Sequence, residues 1–335
     1  KTNQGIDKII VPSQHAKNGF VETRYEFLNQ TNGTKTELGC ACPVDVIPYP
    51  VKNPQGPGLE IDFETDFNFL TIAMMGVRKN LDMTIESFIK EFRDNDNVGL
   101  VVKTNMSKSS IIDRLNTKKK LEEFVRGCGE KKCKVYLLHG HLSEREIHSL
   151  YTHPKIKAYV TTTHGEGYGL PIFESAYSGL PVIAPDWSGH VDFLSGNFKG
   201  KKKRLFSRIE YDLRKIQPEA AWKDIMPAES KWAFPKDLSC RNQMKKVYKN
   251  HGMYRKWAES LKEEINSTHK YEEIIEKYQI SIFGESKEKN QKSISDLRNE
   301  AFSIEDIKER SKFAKKVVSG DISQAEKIEF LKDLF

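Results

Sequence analysis

Residues 157–194, KAYVTTTHGEGYGLPIFESAYSGLPVIAPDWSGHVDFL, decide the fold of this chain. An apolar run from Ala158 to Thr163 precedes a loop that contains three glycines. Pro171 suits the first turn of a helix, Gly179 suits its end, and a second apolar run from Pro181 to Ala184 follows. The stretch therefore predicts a strand, a glycine loop, a helix and a strand, which together form one βαβ unit.

Two carboxylates accompany the predicted glycine loop. Glu166 lies inside the loop, and Glu174 lies in the expected first turn of the helix. Ligands of open parallel sheets bind at the carboxyl ends of the strands, where this loop would lie. Glycines let the backbone approach a ligand, amides at a helix start bind phosphate, and carboxylates suit sugar hydroxyls. Glu174 could alternatively only stabilise the helix by interacting with its dipole, but this alternative leaves Glu166 and the glycines unexplained.

Composition limits the classes of protein to be considered. The 335 residues allow about two domains, and 54 Lys and Arg against 47 Asp and Glu give a net charge of +7. This charge favours nucleotides, nucleic acid or anionic lipid as partners, although many such proteins are merely soluble. Without a visible signal peptide or membrane span, the chain is predicted to be cytoplasmic, at most peripheral at a membrane surface. The five cysteines lack zinc-site spacing and are predicted to be free thiols.

Strands and helices are predicted to alternate before the central unit. The expected strands are 69–74, 98–103 and 134–138, and the expected helices are 81–92, 110–127 and one from the capping residue Ser143 to Tyr151. This alternation predicts an α/β fold with a doubly wound parallel sheet.

The first 58 residues are predicted to be the end of a larger, truncated N-terminal domain. A strand at 6–14, a helix from the capping residue Ser13 to about Asn29, a polar loop at 30–42 and a strand at 44–49 are expected. The proline-rich segment 48–60 predicts a domain boundary. The roughly 50 residues before it are too few for an independent α/β domain.

The chain after the central unit is predicted to end in helices. The basic run Lys201–Arg204 is expected in a loop and 205–216 in a further strand. Helices are expected at about 239–278, with Trp257, Ala258, Leu261 and Ile265 on one stripe. The predicted domains are thus 1–58, a Rossmann-like domain at 59–238, returning helices at 239–284 and a small helical appendage at 285–335. Capping pairs Ser303/Asp306 and Ser323/Glu326 are expected to open two helices of the appendage.

The central stretch resembles the donor-binding motif of retaining GT-B glycosyltransferases of the family-4 type, whose signature is E-x7-E. Here the motif reads Glu166-GYGLPIF-Glu174 and is followed by GLPVIA, with further similarity in VPSQHAKNGF and VDVIPYPV. The resemblance covers roughly residues 6–280. It implies a GT-B fold and transfer of a sugar from a nucleotide-diphosphate sugar to an acceptor. It also implies retention of the anomeric configuration and no need for a metal or other cofactor.

The resemblance also implies roles for individual residues. Glu174 would hold the ribose hydroxyls of the donor, and Glu166 would contact the transferred sugar. Arg78 and Lys79 would grip the diphosphate, whose negative charge grows as it leaves. Further donor contacts are expected from the loop and its surroundings: Gly165, Gly167, Tyr168, Gly169, Leu170, Lys103 and His164.

Several assignments remain open at this stage. The family usually has more residues between its strand and the basic pair, so Arg78 fits that pair less well than Lys79. Arg78 and Lys79 could also be no more than an exposed turn between a strand and a helix. Lys103 could line the site or be a surface residue, and His164 could order the loop or be purely structural. Asp94-Asn-Asp96 reads as a turn rather than a metal site. Residues 188–192 could face the same cleft or only cap a helix.

The predicted donor is a UDP- or GDP-sugar, and the predicted acceptor is a glycan, a lipid or another polyol. Modified DNA is an alternative acceptor, because a basic surface suits any polyanion. Contact of that surface with a membrane or with nucleic acid is a further possibility. Two alternatives to a transferase stay open: a binding module for nucleotide sugars without catalysis, and another GT-B enzyme such as an epimerase or a phosphorylase.

Overall fold

The computed structural model describes residues 5–28, 31, 33–223, 225–284, 300–301, 303–304 and 307–318. The chain divides into two compact units, Lys1–Tyr278 and Gln279–Phe335. None of the described helices is long and apolar enough to cross a membrane.

The first unit is built on a six-stranded sheet. Its strands are β5 (Phe67–Ile72), β6 (Val98–Lys103), β7 (Lys134–Leu138), β8 (Ile156–Val160), β9 (Val182–Pro185) and β12 (Ser207–Ile209). They lie in the order β12-β9-β8-β5-β6-β7, and every pairing is parallel. Counted from β7 in the order of the chain, this is 3-2-1-4-5-6, the order of a Rossmann sheet. The predicted doubly wound parallel sheet is confirmed.

Helices cover both faces of this sheet. One face carries α2 (Leu81–Phe92), α3 (Ile111–Gly127) and α6 (Asp237–Lys249), and the other carries α4 (Glu144–Tyr151), α5 (Leu170–Ser178) and α7 (His251–Thr268). Successive side chains of a strand point to opposite faces, so Phe69 enters one core and Leu70 the other. Such strands are largely apolar because both of their faces are buried.

The N-terminal segment departs from the prediction. Strand β1 (Ile9–Val11) pairs in parallel with β4 (Val44–Val46), and α1 (Gln14–Glu22) follows β1. Helix α1 ends at Glu22 instead of near Asn29, and the expected loop at 30–42 contributes to an antiparallel hairpin of β2 (Tyr25–Leu28) and β3 (Lys35–Leu38). The sequence YEFL contains two aromatic residues and KTEL contains the β-branched Thr36, and such residues favour a strand over a helix.

The basic run Lys201–Arg204 is a strand and not a loop, which corrects the prediction. It forms β11 and pairs with β10 (Ser195–Phe198) in an antiparallel hairpin, whose turn includes Gly200 at φ +76°. The ammonium group of Lys203 lies 4.3 Å from the ring centroid of Phe198. This cation–aromatic contact with the paired strand favours a strand over a loop for the charged run.

Residues 205–283 contain more separate strands and helices than expected. Residues 205–216 hold two strands, β12 and β13 (Tyr211–Lys215), and β13 pairs with β14 (Lys231–Pro235) in a hairpin. The helical region contains α6, α7 and α8 (Tyr271–Phe283). Ala258, Leu261 and Ile265 of the predicted stripe are buried, and Trp257 packs partly against the same cores.

The second unit contains α9 (Ile307–Val318) among its described residues. The hydroxyl of Ser303 donates to the carbonyl of Glu300 in a preceding helical turn. The predicted capping partner Asp306 and the second pair, Ser323 and Glu326, lie outside the described residues.

Candidate active site

The strand order places a crevice between β5 and β8. These are the first and fourth strands of the sheet, and the chain connection reverses direction between them. In open α/β sheets, ligands bind outside the carboxyl ends of the strands at this switch point. Arg78 and Lys79 follow β5, and Glu166 follows β8. The topology therefore brings the predicted basic pair and the predicted loop carboxylate to the same place.

The side chains of Arg78, Lys79 and Glu166 form one charged cluster. The Nη1 atom of Arg78 donates to Oε2 of Glu166 at 2.9 Å, and Nζ of Lys79 lies 2.7 Å from Oε1 and 2.8 Å from Oε2. The hydroxyl of Thr163 donates to Oε1 at 2.9 Å. Arg78 also donates to the carbonyl of Gly165. The two carboxylate oxygens thus accept four hydrogen bonds, three of them from cations.

This cluster keeps Glu166 ionised and carries one excess positive charge. Burial alone would raise the pKa of Glu166, but the charges of Lys79 and Arg78 and their hydrogen bonds outweigh burial and hold the pKa below its usual value. The side chain of Glu166 is 10% exposed, while those of Arg78 and Lys79 are 42% and 22% exposed. The cations therefore keep access to a ligand from the solvent side.

The backbone around the cluster is fixed by contacts between the two strand ends. Asn80 follows the short 3-10 helix Val77–Lys79 at φ +50°, and its side-chain amide donates to the carbonyl of Thr162 at 3.0 Å. The hydroxyl of Thr162 donates to the carbonyl of Asn80 at 2.8 Å. The amide of His164 donates to the carbonyl of Arg78 at 2.8 Å. These reciprocal bonds set the position of the basic pair relative to the loop.

The glycine loop joins β8 to α5 as predicted. Gly169, the residue before α5, has φ +92°, a conformation that a side chain disfavours. The amides of Ile172 and Phe173 donate to the carbonyl of Gly169 and are therefore not available to an anion. The helix start thus offers fewer amide groups to a phosphate than expected. Glu174 lies in the second turn of α5, not in the first, which corrects the prediction.

Glu174 is held by a residue that the sequence analysis missed. The hydroxyl of Tyr151, at the end of α4, donates to Oε2 of Glu174 at 2.9 Å. Burial raises the pKa of Glu174, and the bond from Tyr151 only partly opposes this effect. Burial, followed by the charge of Glu174, also raises the pKa of Tyr151. Tyr151 is 3% exposed and fits a core position by periodicity, so the sequence carries no separate signal for this contact.

Ser188, which follows β9, is hydrogen-bonded to the glycine loop. Its backbone has φ +87° and ψ −169°, a region that costs a residue other than glycine about 1–3 kcal/mol. Its hydroxyl accepts a hydrogen bond from the amide of Glu166 at 2.9 Å. The 3-10 helix Gly189–Asp192 follows, and Asp192 accepts from the amide of Gln14 at 2.6 Å. Residues 188–192 thus contact the loop as well as α1.

Helix α1 also reaches the glycine loop. The hydroxyl of Ser13, which caps α1, donates to the carbonyl of Gly167 at 2.5 Å. A Cβ atom on Gly189 would lie 2.0 Å from the same carbonyl oxygen, so only glycine fits there. The N-terminal segment, the loop and the 3-10 helix therefore pack as one group around Gly167.

The remaining predicted donor contacts lie around this loop in different environments. Lys103 ends β6, where its ammonium group donates to the carbonyl of Gly140 at 2.7 Å and burial lowers its pKa. Tyr168 is 4% exposed and its ring packs against Phe173 and other aromatic residues of the core. Leu170 is 44% exposed. Gly165 packs against the indole of Trp187, and Gly167 borders open space.

His164 is bound by the β13–β14 hairpin, which the sequence analysis did not foresee. Its Nδ1 atom lies 2.6 Å from the carbonyl oxygen of Ala233, and its ring stacks on Trp232 with centroids 4.9 Å apart. The Pro218–Ala220 turn of the same hairpin packs against Val77–Lys79. The hairpin thus supports both the glycine loop and the basic pair.

Other candidate features lie away from the cluster. Asp94 and Asp96 lie in the turn between α2 and β6, as predicted. The five cysteines are free thiols. Within the described residues, no group of three or more His, Cys, Asp or Glu side chains is placed to hold a metal ion. Independence from metal stays a prediction.

Two cavities lie away from the charged cluster. Cavities of about 950 and 870 Å³ lie between α3 and β7 and beside β12 and α6. Neither is lined by Glu166 or Glu174. The site is therefore defined by its side chains and its place in the sheet.

The fold is that of GT-B glycosyltransferases. The sucrose-phosphate synthase of Thermosynechococcus elongatus matches 83% of this chain with a TM-score of 0.54 at 13% identity. The GtfA/B complex matches 83% with a TM-score of 0.51 at 11% identity, and the apo structure of OtsA matches 82% with a TM-score of 0.51 at 10% identity. The matches cover 58%, 45% and 60% of those chains, so this chain spans about half of their length.

No family model matches the sequence, and no curated protein sequence is significantly similar to it. At the identities of the structural matches, the likeness establishes the α/β fold of GT-B type and nothing finer.

Replacing Gly189 by alanine should destabilise the protein. The new Cβ atom would lie 2.0 Å from the carbonyl oxygen of Gly167, so the loop must shift, at a cost of about 1–3 kcal/mol in the free energy of unfolding. Gly167→Ala is the matched control, because a Cβ atom there has no neighbour within 4 Å. Urea denaturation measures both variants, and equal stability of the two would contradict the packing described for this loop.

Glu166→Gln should lower the free energy of unfolding by about 1–3 kcal/mol at neutral pH, because Arg78 and Lys79 lose their charged partner. The pKa of Glu166 is lowered by folding, so its stabilisation is complete above the pKa of the unfolded carboxyl group and is lost as pH falls through the folded pKa. The difference between wild type and variant should therefore shrink in acid. Urea denaturation at neutral and acidic pH tests this, with Glu130→Gln on an exposed turn as control. A difference that does not change with pH argues against the ion cluster.

Proposed function

We propose that this chain is the donor-binding part of a glycosyltransferase, which moves a sugar from a nucleotide-diphosphate sugar to an acceptor with retention of configuration and without a metal. The acceptor is a glycan, a lipid or another polyol. One observation carries the proposal: two cations from the end of β5 converge with the loop carboxylate Glu166 at the switch point of the sheet.

The chemistry of the cluster supports binding and release of a diphosphate. A nucleoside diphosphate gains negative charge as it leaves the sugar, and fixed cations stabilise that charge. Arg78 offers a planar pair of donors and Lys79 a point charge. With Glu166 in place the cluster has an excess charge of only one, so it attracts the diphosphate without holding the product too tightly. Both cations must partly exchange Glu166 for phosphate when the donor binds.

The two glutamates are proposed to take different parts of the donor. Glu174 lies in the second turn of α5, and its carboxylate would accept hydrogen bonds from the ribose hydroxyls. Tyr151 fixes one of its oxygens and leaves the other for the ligand. Glu166, beside the cations, would contact the transferred sugar and the positive charge that develops on it. Lys103 and the loop amides would complete the donor site.

The names of the structural neighbours agree with this proposal. Those matched at a TM-score of at least 0.5 include a sucrose-phosphate synthase and a trehalose-6-phosphate synthase. Both names describe enzymes that make a phosphorylated disaccharide. These names support sugar transfer as the class of reaction.

Isothermal titration with UDP-, GDP- and ADP-sugars tests the proposal directly. At least one of them should bind, and its hydrolysis or transfer should follow in an assay with the same protein. Tight binding without turnover would favour a nucleotide-sugar-binding module. Failure of every nucleotide sugar to bind would refute the proposed function.

Variants of the two glutamates should separate binding from turnover. Glu174→Ala should weaken nucleotide binding by about ten-fold or more, because a buried carboxylate that accepts from ribose hydroxyls is lost. Glu166→Gln should mainly lower turnover, and it should keep or tighten the binding of the nucleoside diphosphate because the cations lose an internal competitor. Titration and kinetics measure the two effects, with Glu130→Ala as control. Normal affinity and rate in both variants would show that the motif is assigned wrongly.

Removal of divalent metal should leave the activity unchanged. Arg78 and Lys79 supply the positive charge that a metal ion supplies in metal-dependent transferases. Activity is measured with and without EDTA, and the anomeric configuration of the product is read by NMR. Loss of activity with EDTA and its recovery with Mg²⁺ would contradict the metal-free part of the proposal. An inverted anomeric centre would contradict retention.

A further inference from the structure

Helix α3 exposes apolar residues and buries polar ones. Ile111, Ile112 and Leu115 are 79%, 72% and 62% exposed, whereas Asp113 and Thr117 on the opposite side are 8% and 0% exposed. Isolated exposed apolar residues are normal, but three in the first two turns of one helix form a patch. We call Ile111, Ile112 and Leu115 the α3 apolar patch.

Polar contacts fix the rotation of α3, so the patch is not exposed through loose packing. The carboxylate of Asp113 accepts a hydrogen bond from the amide of Ser107 at 3.1 Å and lies 2.8 Å from Nε2 of His139 at the end of β7. Ser110 caps the helix by accepting from the amide of Asp113 at 3.1 Å. Rotation of the patch into the core would break these contacts. These contacts therefore keep the α3 apolar patch facing the solvent in the folded protein.

Positive charge surrounds the α3 apolar patch. The exposed cations of residues 106–120, which include the start of α3, are Lys108, Arg114, Lys118, Lys119 and Lys120. Within residues 106–120 the one acidic residue is Asp113, which is turned inward. The next turn carries two exposed acidic residues, Glu122 and Glu123, and Glu122 lies 3.7 Å from Lys118, so the five cations still outnumber the exposed carboxylates. Helical geometry puts Lys118 and Lys119 on the same side as Ile111 and Leu115.

We propose that the α3 apolar patch and its cations dock on a membrane surface that contains anionic lipid. Apolar side chains enter the boundary between head groups and acyl chains, while Lys and Arg meet lipid phosphates; stable attachment needs both signals, and this segment has both. Nucleic acid would not explain three exposed aliphatic side chains, since it is bound through charge and stacking. The occupant that fits both the charge and the apolar surface is an anionic bilayer.

The position of the patch brings the bilayer to the side of the sheet where the proposed transfer occurs. The segment follows β6, so the start of α3 lies at the carboxyl edge of the sheet, the edge that carries Arg78, Lys79 and Glu166. Met106, in the loop that precedes α3, is a further partly exposed apolar residue, with 39% of its surface accessible. The inference does not depend on sugar transfer, because it rests on the surface alone.

Co-sedimentation of the full chain with vesicles tests the proposal. The protein should bind vesicles of equal parts phosphatidylcholine and phosphatidylglycerol, bind phosphatidylcholine alone much more weakly, and dissociate as salt rises. Leu115→Glu should lower the partition coefficient on anionic vesicles by about ten-fold or more. Leu238→Glu is the matched control, since Leu238 is also on a helix and is 64% exposed. Lys119→Glu should weaken binding more than Lys249→Glu on α6.

The outcomes that would overturn the proposal are distinct. Absence of binding to anionic vesicles, equal binding to neutral ones, or equal effects of Leu115→Glu and Leu238→Glu would each refute it. Self-association that is lost in Leu115→Glu, without vesicle binding, would assign the patch to a second copy of the chain instead. Thermal unfolding of each variant checks that its fold is intact. Nucleotide-sugar titration of the same variants should be unchanged, which separates this test from that of the proposed function.

Discussion

The parallel pairing of β5 with β8 is the constraint on which the rest of the site depends. The paired residues Asn68 and Ile156 are 88 positions apart in the sequence, yet the two strands are neighbours in the middle of the sheet, where the direction of the connections reverses. Because both strands end at the same edge, the residues that follow them must meet. The meeting places two cations beside a carboxylate whose pKa burial alone would raise, and their charges hold that pKa below its usual value.

Residues around this cluster have unfavourable backbone conformations, and hydrogen bonds from neighbouring segments offset their cost. Ser188 and Asn80 both have positive φ; Asn80 bonds across the crevice to Thr162, and Ser188 accepts from the amide of Glu166 on its own side of the crevice. The carboxyl group of Glu174 is largely buried, and this burial raises its pKa. Strain and buried charge of this kind persist where the surrounding contacts over-determine them, and such places are commonly functional.

Local sequence rules predicted much of the fold and failed at identifiable places. Helix α2 and strands β6 and β7 have the predicted bounds, since their apolar periodicity and caps are strong. Helix α1 and the run Lys201–Arg204 were misassigned, because hairpin pairing and a cation–aromatic contact outweigh local preference. The βαβ stretch was recognised because glycine, proline and carboxylate positions all agree there. Tyr151 was not foreseen, because a buried tyrosine has the same pattern as any core residue.

The sequence alone determined the class of the fold and the identity of the charged residues, because both depend on short-range patterns: polarity along strands, caps of helices and the spacing of Glu166 from Glu174. Only the tertiary structure decided which charges meet. The contact of Arg78 and Lys79 with Glu166, the bond from Tyr151 to Glu174 and the outward face of α3 all depend on strand order and on packing between distant segments. Such contacts leave no periodic signal, since each partner satisfies its own local pattern whether or not the other is near.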